Sequence, residues 1–279
     1  MVKKPVVSVV VATKNEERIL AKTLASIKKQ TYPSSLIEII VVDNNSTDKT
    51  KQIAQRYTDK VYNQGPERGP QRNFGVKKTK GSILFFPDAD MPMSKNLVTE
   101  SVALLQSSKK IVGLYVPLRW RGENWIIKAK GFEREFYDAT CLDALRVVKK
   151  EAYLRAGGYD EGLFAAEDWD LNRRILKLGK IALVTGKLFH CEDDTINLAS
   201  YIKKQRYYSP NVERYIKKYG RNDELIKKQL GFYYRFFKVF VEDGKWKKII
   251  NHPKLFLQCY FLKILSGAVF VIEKIKPKK

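Results

Sequence analysis

The sequence predicts an α/β fold, a mostly parallel sheet flanked by helices, followed by a basic helical C-terminal extension. Three observations carry this expectation. Over the first hundred residues, near-continuous apolar runs alternate with amphipathic stretches, the pattern of strands buried on both faces between helices. Each of these runs ends in polar or acidic residues. From Tyr201 onward the chain is helical in pattern, basic and rich in tyrosine and phenylalanine.

The elements follow in order. "VVSVVVA" (6–12) is β-branched and apolar and predicts a first buried strand. "EERILAKTLASIKK" (16–29) carries Ile19, Leu20, Leu24 and Ile27 on one helical stripe, and Thr13 with Glu16 offers a capping box for it. "IEIIVVD" (37–43) is a second buried strand, and "STDKTKQIAQRY" (46–57) opens with N-cap residues. A short strand near 60–64, a helix over 69–79, the strand "SILFFP" and a helix from Ser94 to about Gln106 repeat the pattern. Beyond residue 110 the alternation becomes irregular. "IVGLYVPLRW" reads as a strand, "NWIIKAKGFEREFYD" as an amphipathic helix, and a helix begins near Glu167.

The chain has 279 residues and a formal net charge of +23, which calls for an anionic partner: nucleic acid, a membrane surface or a phosphorylated substrate. Its three cysteines, Cys141, Cys191 and Cys259, are too scattered for a metal motif or a disulfide framework, so a reducing cytoplasm is expected. The short apolar run near the N-terminus is followed by charges and reads as a strand, not a signal peptide.

Open parallel sheets bind ligands in the crevice at the carboxyl ends of their strands. The residues there are Thr13, Asn15 and Glu16; Asp43; Gln64; and Asp88 with Asp90 in "FFPDADMPM". Period-two alternation would point Asp88 and Asp90 to the same side. Carboxylates at three strand ends of a basic protein are reconciled by a divalent cation among them. The plainer reading of the aspartate pair is a polar turn before Pro92.

Four segments, "VVSVVVATKNEERIL", "IEIIVVDNNSTDKT", "GPQRNFGVKKTKGSILFFPDAD" and "RAGGYDEGLFAAEDWDLNRRI", occur in an order and spacing that resemble the family 2 glycosyltransferases. The resemblance covers roughly residues 5–220. It implies the GT-A fold, with a Rossmann-like sheet, and inverting transfer from a nucleotide-diphosphate sugar, with a GDP- or UDP-sugar as donor. It further implies that Asp90 binds Mn2+ or Mg2+, that Asp88 lies nearer the ribose, and that Thr13, Asn15, Glu16, Asp43 and Arg72 form the nucleotide pocket. Asp168 is then the base that takes the acceptor proton, with Glu167 in support. His190 is placed to complete the metal site, and Lys204 or Arg206, in a flap over 201–209, to meet the diphosphate. The plainer reading of Glu167, Asp168 and Asp170 is a helix N-terminus favoured by the macrodipole, with Asp170 structural and paired to Arg173 or Arg174.

The division expected is a catalytic domain over 1–220 and a membrane-associated extension over 221–279. In the extension, "LFLQCYFLKILSGAVFVI" (255–272) places Gln258, Cys259, Lys263 and Ser266 within roughly 140° of one another, which predicts a helix lying in the membrane interface. A helix packed on the protein's own core and a true span are the alternatives. Lysines near an anionic leaflet each contribute about 1 kcal/mol. The expected setting is therefore peripheral, on the cytoplasmic face, with a lipid-linked or membrane-held acceptor. A sugar nucleotidyltransferase would want a glycine-rich basic loop after the first strand, where this chain has "ATKNEE". A nucleic-acid binder would leave the acidic strand ends without a purpose, and nucleic acid is not an expected partner.

Overall fold

The computed structural model describes residues 4–191, 194–208 and 212–275; residue 209, at the end of the expected flap, and residues 276–279 of the basic tail lie outside the described residues. The chain divides into two units, Met1–Leu118 with Asp143–Cys191, and Arg119–Leu142 with Glu192–Lys279.

Through the first half of the chain run β1 (Val7–Thr13), α1 (Leu20–Lys28), β2 (Ile37–Asp43), α2 (Thr50–Gln55), β3 (Val61–Asn63), α3 (Arg68–Lys77), β4 (Ile83–Phe85) and α4 (Leu97–Ser107). Then come β5 (Ile111–Tyr115), β6 (Leu118–Arg121), α5 (Trp125–Arg134), β7 (Leu145–Lys149), α6 (Lys150–Arg155), α7 (Glu167–Leu176), β8 (Lys180–Leu183) and β9 (Leu188–Cys191). "IVGLYVPLRW" is two strands, not one, because Pro117 cannot donate to a ladder and breaks it.

The first unit holds a seven-stranded sheet in the order β3-β2-β1-β4-β7-β5-β8. All described pairings are parallel except those of β7, which runs antiparallel to both β4 and β5. Strand order reverses between β1 and β4, the switch point where such sheets open a crevice. β1 and β2 are in register from Val7↔Ile37 to Thr13↔Asp43, so their polar ends meet. An isolated bridge between Ala12 and Asp88 brings the aspartate pair to the same edge.

Val10, Ile40, Val42, Val76, Leu84, Phe86, Val148 and Leu171 form the core between the sheet and its covering helices. Helix α3 lies close to the sheet because Gly75 has no side chain: a Cβ there would stand 2.4 Å from Val10 Cγ1 and 3.1 Å from Val42 Cγ2. The capping box does not form. Helix α1 starts four residues later than expected, the Thr13 hydroxyl turns to Asp43, and the backbone N–H of Glu16 is capped instead by Thr50 Oγ1 at 2.7 Å.

The second unit is helical: α5, then α8 (Leu198–Tyr208), α9 (Val212–Tyr219), α10 (Glu224–Leu230), a π-helical turn at Tyr234–Lys238, α11 (Val239–Val241), α12 (Trp246–Asn251) and α13 (Pro253–Ile275). Asn124 and Asp223 cap α5 and α10 by accepting from Ile126 N and Ile226 N. Its core is a relay of rings, Phe132–Phe136–Phe240–Phe256–Tyr260, with centroids 4.8–5.5 Å apart.

Helix α13 packs on α5 and α8 with its polar side. Cys259, Leu262 and Lys263 are buried, Lys263 Nζ meets Glu133 Oε1 at 2.6 Å and the Tyr137 hydroxyl at 3.0 Å, and Ser266 Oγ bonds the Tyr201 hydroxyl. The polar stripe that was expected to face water therefore faces protein. Burial opposes ionisation of Glu133, but the Lys263 ammonium outweighs it and holds the carboxyl below its usual range.

Gly75→Ala should lower stability by about 1–3 kcal/mol through overpacking against Val10. The denaturant midpoint measures this, and an unchanged midpoint would mean that α3 is free to lift from the sheet.

Candidate active site

The crevice at the β1/β4 switch point gathers two acidic pairs and the arginines between them. Its centre is Arg72, on α3 and fully buried. Arg72 Nη2 donates to Asp88 Oδ1 at 2.5 Å, and Nη1 donates to Asp168 Oδ1 at 3.1 Å and to the Tyr159 hydroxyl at 3.2 Å. The same guanidinium stands 5.1 Å from the Tyr159 ring centroid. One residue thus ties the end of the β4 segment to the first turn of α7.

The two aspartates of "DAD" have different partners. β4 ends at Phe85, so Asp88 and Asp90 occupy the turn that follows, where the Met91 N–H donates to the Asp88 carbonyl and period-two alternation no longer applies. Asp88 faces Arg72 and, at 3.3 Å from Oδ2, Arg146 Nη1. Burial alone would push the Asp88 carboxyl up; the Arg146, Arg72 and Arg68 guanidinium groups instead hold it well below the usual carboxylate range.

Asp90 is partnered by His190. Strand β9 runs antiparallel to the 90–93 segment, through Cys191 N–H to Asp90 O and Phe189 N–H to Pro92 O. That pairing sets His190 Nδ1 3.1 Å from Asp90 Oδ2. Asp90 Oδ1 is buried and has no hydrogen-bond partner among the described residues.

An imidazole and a carboxylate with an unspent oxygen are donors that suit Mn2+ or Mg2+. Among the described residues no group of three or more His, Cys, Asp or Glu side chains could hold a metal. The fit is to a cation that takes its remaining ligands from a substrate.

Helix α7 begins with Glu167, Asp168 and Asp170 in its first turn, where the macrodipole favours acids. The residue before it, Ala166, sits in the left-handed region at φ 62°, a conformation that costs a non-glycine residue about 1 kcal/mol or more. Asp170 is fully buried and paired with Arg174, whose Nη1 also donates to Gly158 O at 2.6 Å and so fixes the glycine turn before α7. Arg174 is one of the two partners expected for Asp170. Glu167 is enclosed, with Arg68 Nη2 3.2 Å from Oε1. Burial and the neighbouring Asp168 push its carboxyl up to about 6.

The remaining residues singled out from sequence fall in three places. Asp43 is fully buried and accepts from the Thr13 hydroxyl at 2.9 Å and from Ser46 N and Oγ at 2.8 and 2.5 Å, so its oxygens organise the strand end. Asn15, at φ 54°, receives the Thr47 N–H at 2.9 Å, and this joins the loops after β1 and β2. Arg206 is exposed on α8, in the second unit. The sequence did not single out Arg146, Arg68 or Tyr159. Arg146 lies on β7, a strand that was itself missed, opposite Phe86, whose N–H donates to the Arg146 carbonyl.

Residues 8–153 match the family model for glycosyl transferase family 2. The poly(ribitol-phosphate) beta-N-acetylglucosaminyltransferase TarS of Staphylococcus aureus is 33% identical over 107 residues, 35% of this chain and 18% of that protein. A beta-monoglucosyldiacylglycerol synthase of Nostoc sp. is 25% identical over 250 residues, 81% of this chain and 53% of that protein. In both cases the matched region spans well under two thirds of the relative. Among solved structures, the fold is like that of the mannosyltransferase PcManGT from Pyrobaculum calidifontis, in complex with GDP-Man and Mn2+. The TM-score is 0.61 at 18% identity, over 96% of this chain and 76% of that one.

A raised Glu167 carboxyl binds its proton more tightly in the folded chain than in the unfolded one. Its contribution therefore makes stability fall as pH rises from 4.5 to about 6, by about 2 kcal/mol. Glu167→Gln should remove that slope. Denaturation of both proteins across this window measures the difference, and parallel curves would contradict the burial of an acid at this point.

Proposed function

This chain belongs to glycosyl transferase family 2, and we propose that it is an inverting hexosyltransferase that moves a sugar from a nucleotide-diphosphate donor to an acceptor hydroxyl or phosphate held at a membrane. The observation that carries the reading is the meeting, at one strand-end crevice, of the Asp88–Arg72–Asp168 bridge and the Asp90–His190 pair.

In this reading Asp168 is the base. Its carboxylate is partly exposed at the N-terminus of α7 and is oriented by Arg72. It takes the proton of the acceptor hydroxyl as that oxygen attacks the anomeric carbon on the face opposite the leaving diphosphate. Glu167, carrying a proton over much of the range below about 6, supports the acceptor side without competing for the same role. Asp90 and His190 would hold Mn2+ or Mg2+. When bound, the cation neutralises charge on the leaving diphosphate.

The nucleotide lies over the ends of β1 and β2, against Thr13, Asn15, Glu16 and Asp43. Asp43 shapes the base pocket through Thr13 and Ser46, and Asp88, held ionised by Arg72 and Arg146, faces the ribose. PcManGT holds GDP-Man and Mn2+, and the Nostoc relative is named for a glucosyldiacylglycerol product. The first supports a nucleotide-sugar donor, and the second supports a lipid acceptor.

The donor is tested by screening GDP-mannose, UDP-glucose and UDP-N-acetylglucosamine for Mn2+-dependent hydrolysis and for thermal stabilisation, since a ligand of the native state raises apparent stability. Asp90→Ala should abolish the response to Mn2+, and Asp168→Asn should lower transfer by about 10²–10⁴-fold with the fold intact. Full activity in either variant would remove that residue from the mechanism.

A further inference from the structure

Helix α13 is amphipathic in the inverse sense. Lys263 is committed to Glu133 and Tyr137 and Ser266 to Tyr201, and from Leu257 onward the exposed side chains on the opposite side are apolar. Leu257 is 69% exposed, Phe261 51%, Ile264 58%, Val271 53% and Ile272 50%, and Ala268 is exposed between them. The spacing of four, three, four and three residues puts these side chains within about 100° of arc, in a stripe about 22 Å long. One side of Pro253–Ile272 packs on α5 and α8 and most of its length is left outside the interior. Soluble chains seldom leave a contiguous apolar band of this kind in water.

Two further features identify the occupant. Trp125, at the start of α5 and 37% exposed, stands 6.3 Å from the Phe261 ring and extends the stripe with the residue type that prefers the headgroup region. Lys254, exposed at the N-terminal end, lies on the same side of α13, and the whole chain carries +23. An apolar band with aromatic and cationic margins complements an anionic bilayer surface.

The same contacts decide orientation. Crossing the membrane would draw α5 and α8 into hydrocarbon along with α13, because Glu133 and Tyr201 are bound to it, and those helices expose Lys128, Lys203 and Lys204. Charges there are costly.

We propose that α13 lies in the plane of an anionic membrane, with Leu257, Phe261, Ile264, Ala268 and Val271 inserted beside Trp125 and its polar side occupied by the protein itself. This deepens the membrane part of the function proposed above and is independent of the chemistry in the crevice.

The test is co-flotation of the full chain with vesicles of phosphatidylcholine alone or with about one third phosphatidylglycerol, with donor hydrolysis measured on the same preparations. The full chain should float with the anionic vesicles and be released by alkaline carbonate. Phe261→Ser with Ile264→Ser should lower vesicle partitioning at least tenfold and leave donor hydrolysis unchanged. Leu154→Ser, at an equally exposed leucine of the first unit, should alter neither.

Undiminished flotation of the double variant would overturn the proposal, and so would retention of the full chain through carbonate, which marks a span. A stripe that instead mediates pairing of two copies would show as a dimer-to-monomer change in the double variant with no loss of flotation, and this too would overturn it. Loss of hydrolysis in Asp90→Ala bears only on the crevice.

Discussion

The buried guanidinium of Arg72 is the constraint around which the catalytic unit is arranged. An unpaired charge in that position would cost several kcal/mol, and removing one member of a buried pair typically costs about 3–5 kcal/mol. Arg72 is tolerated because three elements deliver partners to it: the turn after β4 brings Asp88, α7 brings Asp168 and the loop before α7 brings Tyr159. The requirement runs in both directions. Neither the 88–90 turn nor the start of α7 can move far without stranding an ion, so the crevice is set before any ligand arrives, the preorganisation that electrostatic catalysis demands.

This arrangement also separates two carboxylates that the sequence puts two residues apart. Asp88 is surrounded by cations and stays ionised as a fixed anion; Asp90 keeps one buried oxygen unspent beside His190. The division follows from backbone geometry. Because β4 ends at Phe85, the pair lies on a turn, and a turn can aim successive acids at different partners, whereas a strand would aim both at one. A basic protein can thus carry a cluster of acids around its strand ends, with Asp88 held by Arg72 and Arg146, Asp168 by Arg72 and Glu167 by Arg68.

Much of the fold was legible because it rests on local pattern. β2 spans 37–43 as read from "IEIIVVD", and the first-strand, third-helix and α7 segments fall within a few residues of their expected places. What escaped depends on partners distant in sequence. "LRVVK" is five residues long and runs straight into a helix, so neither alternation nor turn residues mark β7, and without β7 there was no reason to place Arg146 beside Asp88. The Thr13–Glu16 pattern satisfies a capping box on paper. In the fold the register of β1 with β2 puts Asp43 against the Thr13 hydroxyl, and the buried carboxylate takes it.

Helix α13 gives the sharpest case, because its two faces were read correctly and the destination of the polar one was not: it meets protein where an interfacial helix would turn it to water. A helical wheel separates polar from apolar residues but carries no information on which side meets solvent; only the surroundings decide that. Lys263 could turn inward because α5 supplies Glu133 at the matching height, with Tyr137 to share it, and a buried ammonium with a carboxylate and a hydroxyl is satisfied where a lone one is not. Both acceptors stand in "GFEREFYD", on an amphipathic segment already read as a helix. An acid on a neighbouring amphipathic helix is therefore the sequence sign that a helix's polar stripe is internal, and the presence of that sign turns an apolar stripe from a core face into an exposed one.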